Sequence, residues 1–220
     1  MYIYLKKIIE GEYTISAAGL WSTIFATTVD GNLYGYDAES ISFKAPSEHT
    51  IDGSHFDLEV QIIHKIKKDF VNYSRDKAVL SILFNVDDNT SVNFFNSVDP
   101  VSSNSQFTVN PEKTLGAFLD ATPVYYTYKG SLTLPDCSES VNWYILQKPL
   151  GITTLNLKKF KSFWSDNINF NGGSGNNRPI QGINGRTVLQ GGIKCEEQFV
   201  YFFSFFILYI FINYFIFKLL

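Results

Sequence analysis

The chain reads as a mostly β domain followed by a strongly apolar C-terminal stretch. Three observations predict this: short runs of aromatic and β-branched residues recur along its middle, Asp-Gly and Asn-rich turn signals separate them, and almost no segment has helical periodicity. With 220 residues, 45% of them apolar and with 20 Phe and 13 Tyr, there is material for one sizeable buried core, which excludes a largely disordered polymer.

Taken in order, Ser40–Phe43 is a short alternating run and Phe56–His64 a longer one. Ala78–Asn85 (AVLSILFN) is nearly continuous apolar, the pattern of a strand covered on both faces. Pro123–Tyr128 and Val141–Gln147 add further strands. Asp30-Gly31, Asp52-Gly53, Asp87-Asp88-Asn89 and Lys129-Gly130 supply turns between them. Asn156–Trp164 is the best helix, and Asn167–Gly175, rich in Asn and Gly, reads as a loop. The expected domain covers residues 21–190, preceded by a divergent or truncated segment over 1–20.

Phe199–Phe217 (FVYFFSFFILYIFINYFIF) is uncharged throughout. At about 1.5 Å per residue, a helix of this length spans roughly 30 Å, the thickness of a bilayer's hydrocarbon core. It is expected to anchor the chain in a membrane. The alternatives are the removable tail of a lipid-anchor signal, with Gly191-Gly192 as attachment site, or a translated non-coding extension. The start, MYIYLKKII, has too short an apolar run for a signal peptide and points to a missing beginning.

A net charge of −3 gives no reason to expect a nucleic-acid partner, and Lys6/Lys7 and Lys65/Lys67/Lys68 read as solvated faces. Cys137 and Cys195 make neither a zinc knuckle nor a disulfide framework; one bridge between them, or pairing outside the chain, stays open. The sequons at Asn72 and Asn89 fit a secreted protein. All three histidines, His49, His55 and His64, fall within Ile41–His64, with Glu48, Asp52, Asp57 and Glu59 among them, which raises the question of a metal site.

APSEHTIDGSHFDLEVQIIH (Ala45–His64), YYTYKGSLTLP (Tyr125–Pro135), VNWYILQKPLGIT (Val141–Thr153) and NNRPIQGINGR (Asn176–Arg186) stand in the order of four blocks of α-type carbonic anhydrases. The chain is identified by them as resembling that family. The resemblance implies a large central, mostly antiparallel sheet with short peripheral helices. It also implies carbon dioxide hydration on a zinc held by three histidines, the metal lowering the pKa of bound water to about 7. Two of those ligands lie on one strand with a single residue between them and so face the same way, and the third is on the next strand.

Carried onto this chain, the three ligand positions hold Ser42, Lys44 and Gln61. An ammonium repels a dication, and a hydroxyl and an amide are weak zinc ligands beside imidazole. His49 and His64 match framework histidines of the family, and His55 is expected to be exposed. Glu48 and Thr133 match a pair in which the carboxylate accepts the threonine hydroxyl, retained here as an ordinary buried hydrogen bond. Ile63, Val79, Leu132, Val141 and Trp143 match the apolar wall of the substrate pocket, and Leu134 makes that pocket more apolar.

The expectation is therefore a carbonic-anhydrase-related protein without metal or cofactor, membrane-anchored on the extracellular or secretory-pathway side and acting in recognition or as a structural module. An active carbonic anhydrase with non-standard zinc ligands and a truncated, degenerate family member are the alternatives.

Overall fold

The strand patterns assemble into one large sheet. The computed structural model describes residues 2–7, 13–17, 23–70, 73–92, 94–96, 106–108, 123–162 and 174–192. Its strands are β1 (Tyr2–Lys7), β2 (Tyr13–Ala17), β3 (Thr23–Thr27), β4 (Leu33–Lys44), β5 (Thr50–Ile51), β6 (Ser54–His55), β7 (Leu58–Ile66), β8 (Lys77–Val86), β9 (Gln106–Thr108), β10 (Val124–Gly130), β11 (Val141–Leu146), β12 (Leu150–Ile152) and β13 (Leu189–Gly192). One α-helix, α1 (Thr154–Lys161), and two short 3₁₀ turns complete the described elements.

Eleven strands form the sheet, in the order β13-β10-β11-β8-β7-β4-β2-β1-β9, with β12 also on β8 and β3 also on β4. Most pairs are antiparallel; β11 and β12 run parallel to β8. The mostly β, mostly antiparallel expectation holds. Residues 1–20, set apart in the sequence, contribute β1 and β2 to the same sheet.

Side-chain alternation divides the sheet into two faces. On one, Ile41 and Phe43 of β4, Leu58 and Val60 of β7, Ile82 and Phe84 of β8 and Leu146 of β11 form the larger core. Leu157 and Phe160 of α1 pack onto it, Phe160 stacking on Phe43 at a centroid distance of 4.7 Å. Helix α1 is capped by the Thr153 hydroxyl, which accepts from the Asn156 amide, and begins at Thr154, two residues before the helix expected from the sequence. The opposite face carries Val79, Leu83, Val141, Trp143 and Ile145, with Ile63, Tyr126, Tyr128 and Leu132 packed against them.

Two local features depart from the sequence reading. Gly130, expected in a turn, ends β10; a Cβ there would lie 2.7 Å from Trp143 Cδ1, so glycine is needed for packing. Strand β4 is also much longer than Ser40–Phe43 and carries a bulge between Ala38 and Ser40. Asp52-Gly53 does form the expected tight turn, with φ of 52° and 77°, between β5 and β6.

Phe199–Phe217, Cys195, Asn72 and most of the Asn167–Gly175 loop lie outside the described residues. Among those described, no helix is long and apolar enough to cross a membrane.

Candidate functional site

The bulge in β4 decides which residues meet. Before it, Ala38 pairs with His64 on the face of the larger core; after it, Ser42 pairs with Gln61 and Lys44 with Glu59. The extra residue reverses the alternation, so Ser42 and Lys44 face the same side as Gln61. The three positions that the resemblance assigns to zinc ligands therefore share one face of the sheet, each nearly sealed from water: Ser42 is 3% exposed, Lys44 1% and Gln61 2%.

Their chemistry is that of an ion-pair network. Lys44 Nζ lies 3.3 Å from Glu48 Oε1. Gln61 Nε2 donates to Glu48 Oε2 at 2.8 Å and to Glu59 Oε1 at 3.0 Å, so a single amide bridges two carboxylates. The Arg178 backbone N–H donates to Glu48 Oε1 at 2.9 Å. Among the described residues no hydrogen bond joins Glu48 to Thr133, which is half-buried on the connection after β10. The carboxylate that the resemblance pairs with Thr133 is instead occupied by Lys44, Gln61 and the Arg178 amide.

Glu59, which sequence reasoning did not single out, is the most heavily hydrogen-bonded group of the site. It is wholly buried and accepts from the Glu48 and His49 backbone amides, the His49 ring, Gln61 and Ser81. Burial alone would push its carboxyl up. The His49 charge and these donors outweigh burial and hold it at about 2. Burial likewise opposes the charge on His49, but the Glu59 carboxylate at 2.7 Å wins and raises the imidazole above its ordinary value. Nδ1–H then donates to Glu59 and Nε2–H to the Tyr128 hydroxyl, 2.7 Å away. The Arg186 guanidinium lies over the Tyr128 ring. The period-two spacing of Glu59 and Gln61 on one strand was the available signal for this group.

The frame around the network comes from two loops. Ser47 is tied to Phe56 and His49, which fixes the return of the chain after β4. Asn176 accepts from the Ala45 amide at 3.0 Å and donates to the Phe43 carbonyl at 2.8 Å, gripping the end of β4 beside Lys44. This grip explains the Asn-Asn-Arg-Pro block better than its position in the sequence does.

Of the expected apolar wall, Ile63, Val79, Leu132, Val141 and Trp143 share one cluster, whereas Leu134 is 37% exposed and stands outside it. The other histidines sit away from the three corners. His64 is buried on the opposite face, its Nδ1 on the Ile62 carbonyl, and burial lowers its pKa to about 4. His55 is exposed. Among the described residues, no three His, Cys, Asp or Glu side chains are grouped to hold a metal ion, and Cys137 has no disulfide partner.

Comparison with known proteins places this arrangement. The family model for eukaryotic-type carbonic anhydrases matches residues 17–191. A carbonic anhydrase of Klebsiella pneumoniae is 31% identical over 184 residues, covering 83% of this chain and 68% of that protein. Carbonic anhydrase 6 of Canis lupus familiaris is 36% identical over 162 residues, covering 69% of this chain and 50% of that protein. The chain thus spans half to about two thirds of the length of these relatives. Among solved structures, the α-carbonic anhydrase of Thermovibrio ammonificans, in complex with the inhibitor sulfanilamide, superposes with a TM-score of 0.61 at 28% identity, over 86% of this chain and 74% of that one. Dioscorin complexed with ascorbate shares the fold, with a TM-score of 0.63 at 23% identity over 89% and 75% of the two chains. The matched region runs through β4, β7, β8, β10 and β11, the strands that carry the three corners and the apolar wall, and the chain belongs to the eukaryotic-type carbonic anhydrase family.

Proposed function

We propose that this chain is a carbonic-anhydrase-related protein that holds no catalytic zinc, does not hydrate carbon dioxide, and serves as a membrane-anchored recognition or structural module. The observation that carries the reading is the Lys44–Glu48 contact at the corner where an imidazole is needed. Zinc takes neutral imidazole, thiolate or carboxylate at about 2.0–2.3 Å. Here one corner is an ammonium engaged with a carboxylate, one is a hydroxyl, and the third is an amide whose nitrogen is committed to Glu48 and Glu59. This donor set does not fit the metal, and without the metal no bound hydroxide forms near neutral pH.

The other reading, an active carbonic anhydrase with unusual ligands, draws on the names of its relatives, among them the Klebsiella pneumoniae protein. Stopped-flow hydration in the presence of added zinc separates the two. The proposal expects the uncatalysed rate; hydration that a sulfonamide abolishes overturns it.

The anchoring part rests on the sequence of Phe199–Phe217 and on its length relative to a bilayer. In this reading the domain stands on the extracellular or secretory-pathway side, which the sequons at Asn72 and Asn89 favour. Flotation with phospholipid vesicles tests it. The full chain rises with the vesicles and a chain ending at Glu197 stays behind; equal behaviour of the two removes the anchor.

A further inference from the structure

The Glu48 side chain is only 5% exposed, and a buried carboxylate needs both donors and a compensating charge. Of the donors on its two oxygens, the Gln61 amide and the Arg178 backbone N–H are neutral. Each is held independently of Glu48: Gln61 by its second hydrogen bond to Glu59, and the Arg178 segment by the Asn176 grip on Phe43 and Ala45. The nearby His49 charge is committed to Glu59 at 2.7 Å. Among the described residues, the cation in contact with Glu48 is the Lys44 ammonium.

We propose that Glu48, set by Gln61 and the Arg178 amide, forms an internal cradle for a primary ammonium, and that Lys44 is its tethered occupant. The contact is a direct ion pair, with Nζ 3.3 Å from Oε1 and both side chains almost sealed from water. Both Glu48 oxygens are also engaged by N–H donors, which favours a partner that shares a carboxylate over one that must coordinate it closely. Lys44 thus supplies from within the chain the cation that balances the buried Glu48 carboxylate. The inference rests on the metal-free reading above, and zinc content tests that reading separately.

The test is chemical rescue, followed by thermal melting of the full chain. Lys44→Ala removes the Cγ–Cε carbons and the ammonium, the outline of n-propylammonium. Lys44→Ala is expected to melt below the wild type and to regain melting temperature saturably with n-propylammonium. 1-Propanol and tetramethylammonium at equal concentration should leave it unchanged, and Lys44→Ala/Glu48→Gln should show no amine response. The proposal is overturned if Lys44→Ala melts like the wild type, if propanol matches the amine, if zinc restores stability in its place, or if the double variant responds equally. Should Lys44→Ala not fold, Lys44→Met, which keeps the volume without the charge, decides the matter. Recovery of stability on adding Glu48→Gln to Lys44→Met supports the cradle, and no recovery contradicts it.

Discussion

The amide of Gln61 reaches both Glu48, at 2.8 Å, and Glu59, at 3.0 Å, and so ties together the two buried carboxylates of the site. A single neutral side chain thereby satisfies acceptors belonging to two different ion pairs, Lys44–Glu48 and His49–Glu59. The arrangement is electrically balanced, two cations against two anions, and it accounts for polar residues persisting in the interior of the sheet.

Gln61→Leu keeps the volume and removes both donors. Hydrogen bonds to charged groups contribute about 1.5–3 kcal/mol each, so the variant should lose at least about 3 kcal/mol of unfolding free energy. Denaturant titration of the variant and the wild type measures it. A loss below about 1 kcal/mol would mean that neighbouring donors replace the amide.

The pH dependence of stability should be bell-shaped. His49 has a raised pKa because of Glu59, so its contribution is full below the ordinary imidazole value of 6.5 and is lost as pH rises through its folded value. His64 is lowered to about 4 by burial, so its contribution is full above 6.5 and is lost as pH falls toward 4. Glu59, held at about 2, loses its contribution only as pH falls from its ordinary 4.5 toward 2. Stability therefore peaks near the ordinary imidazole pKa, and the His64 limb is worth up to about 3 kcal/mol. Denaturant midpoints across pH should show this limb in the wild type and a flatter one in His64→Gln; identical limbs in the two would remove His64 as its source.

How much of this was legible in the sequence differs from element to element. Ala78–Asn85 was readable as a doubly covered strand because only Ser81 interrupts its apolar run, and β8 spans Lys77–Val86 with both faces buried along most of its length. Glu48, Ser42, Lys44 and Gln61 were locatable from the motif blocks. The β4 bulge was not, because an extra residue between Ala38 and Ser40 has no compositional mark and shows only in the register against β7. Glu59 was named among the acidic residues around the histidines but given no role, because its partners lie far off in sequence, His49 ten positions away and Ser81 twenty-two away. Asn176 was equally silent, since its grip on Phe43 and Ala45 crosses more than 130 residues of chain.

Gly175 is where that grip depends on close approach. A Cβ at this position would lie 2.3 Å from the Ala45 carbonyl oxygen, and backbone cannot move aside as a side chain can. Gly175→Ala should therefore cost about 2 kcal/mol or more and loosen the end of β4 beside Lys44. Thermal melting together with hydrogen exchange at the Ala45 amide measures both effects. Unchanged protection at Ala45 would show that Asn176 holds β4 without this contact.

The most direct test of the central claim is metal content. The full chain is purified without chelator, exposed to excess zinc, dialysed and analysed by elemental mass spectrometry. With Ser42, Lys44 and Gln61 at the three corners, zinc should remain far below one per chain. One zinc per chain that survives dialysis, and is lost when Gln61 is replaced, would contradict the account.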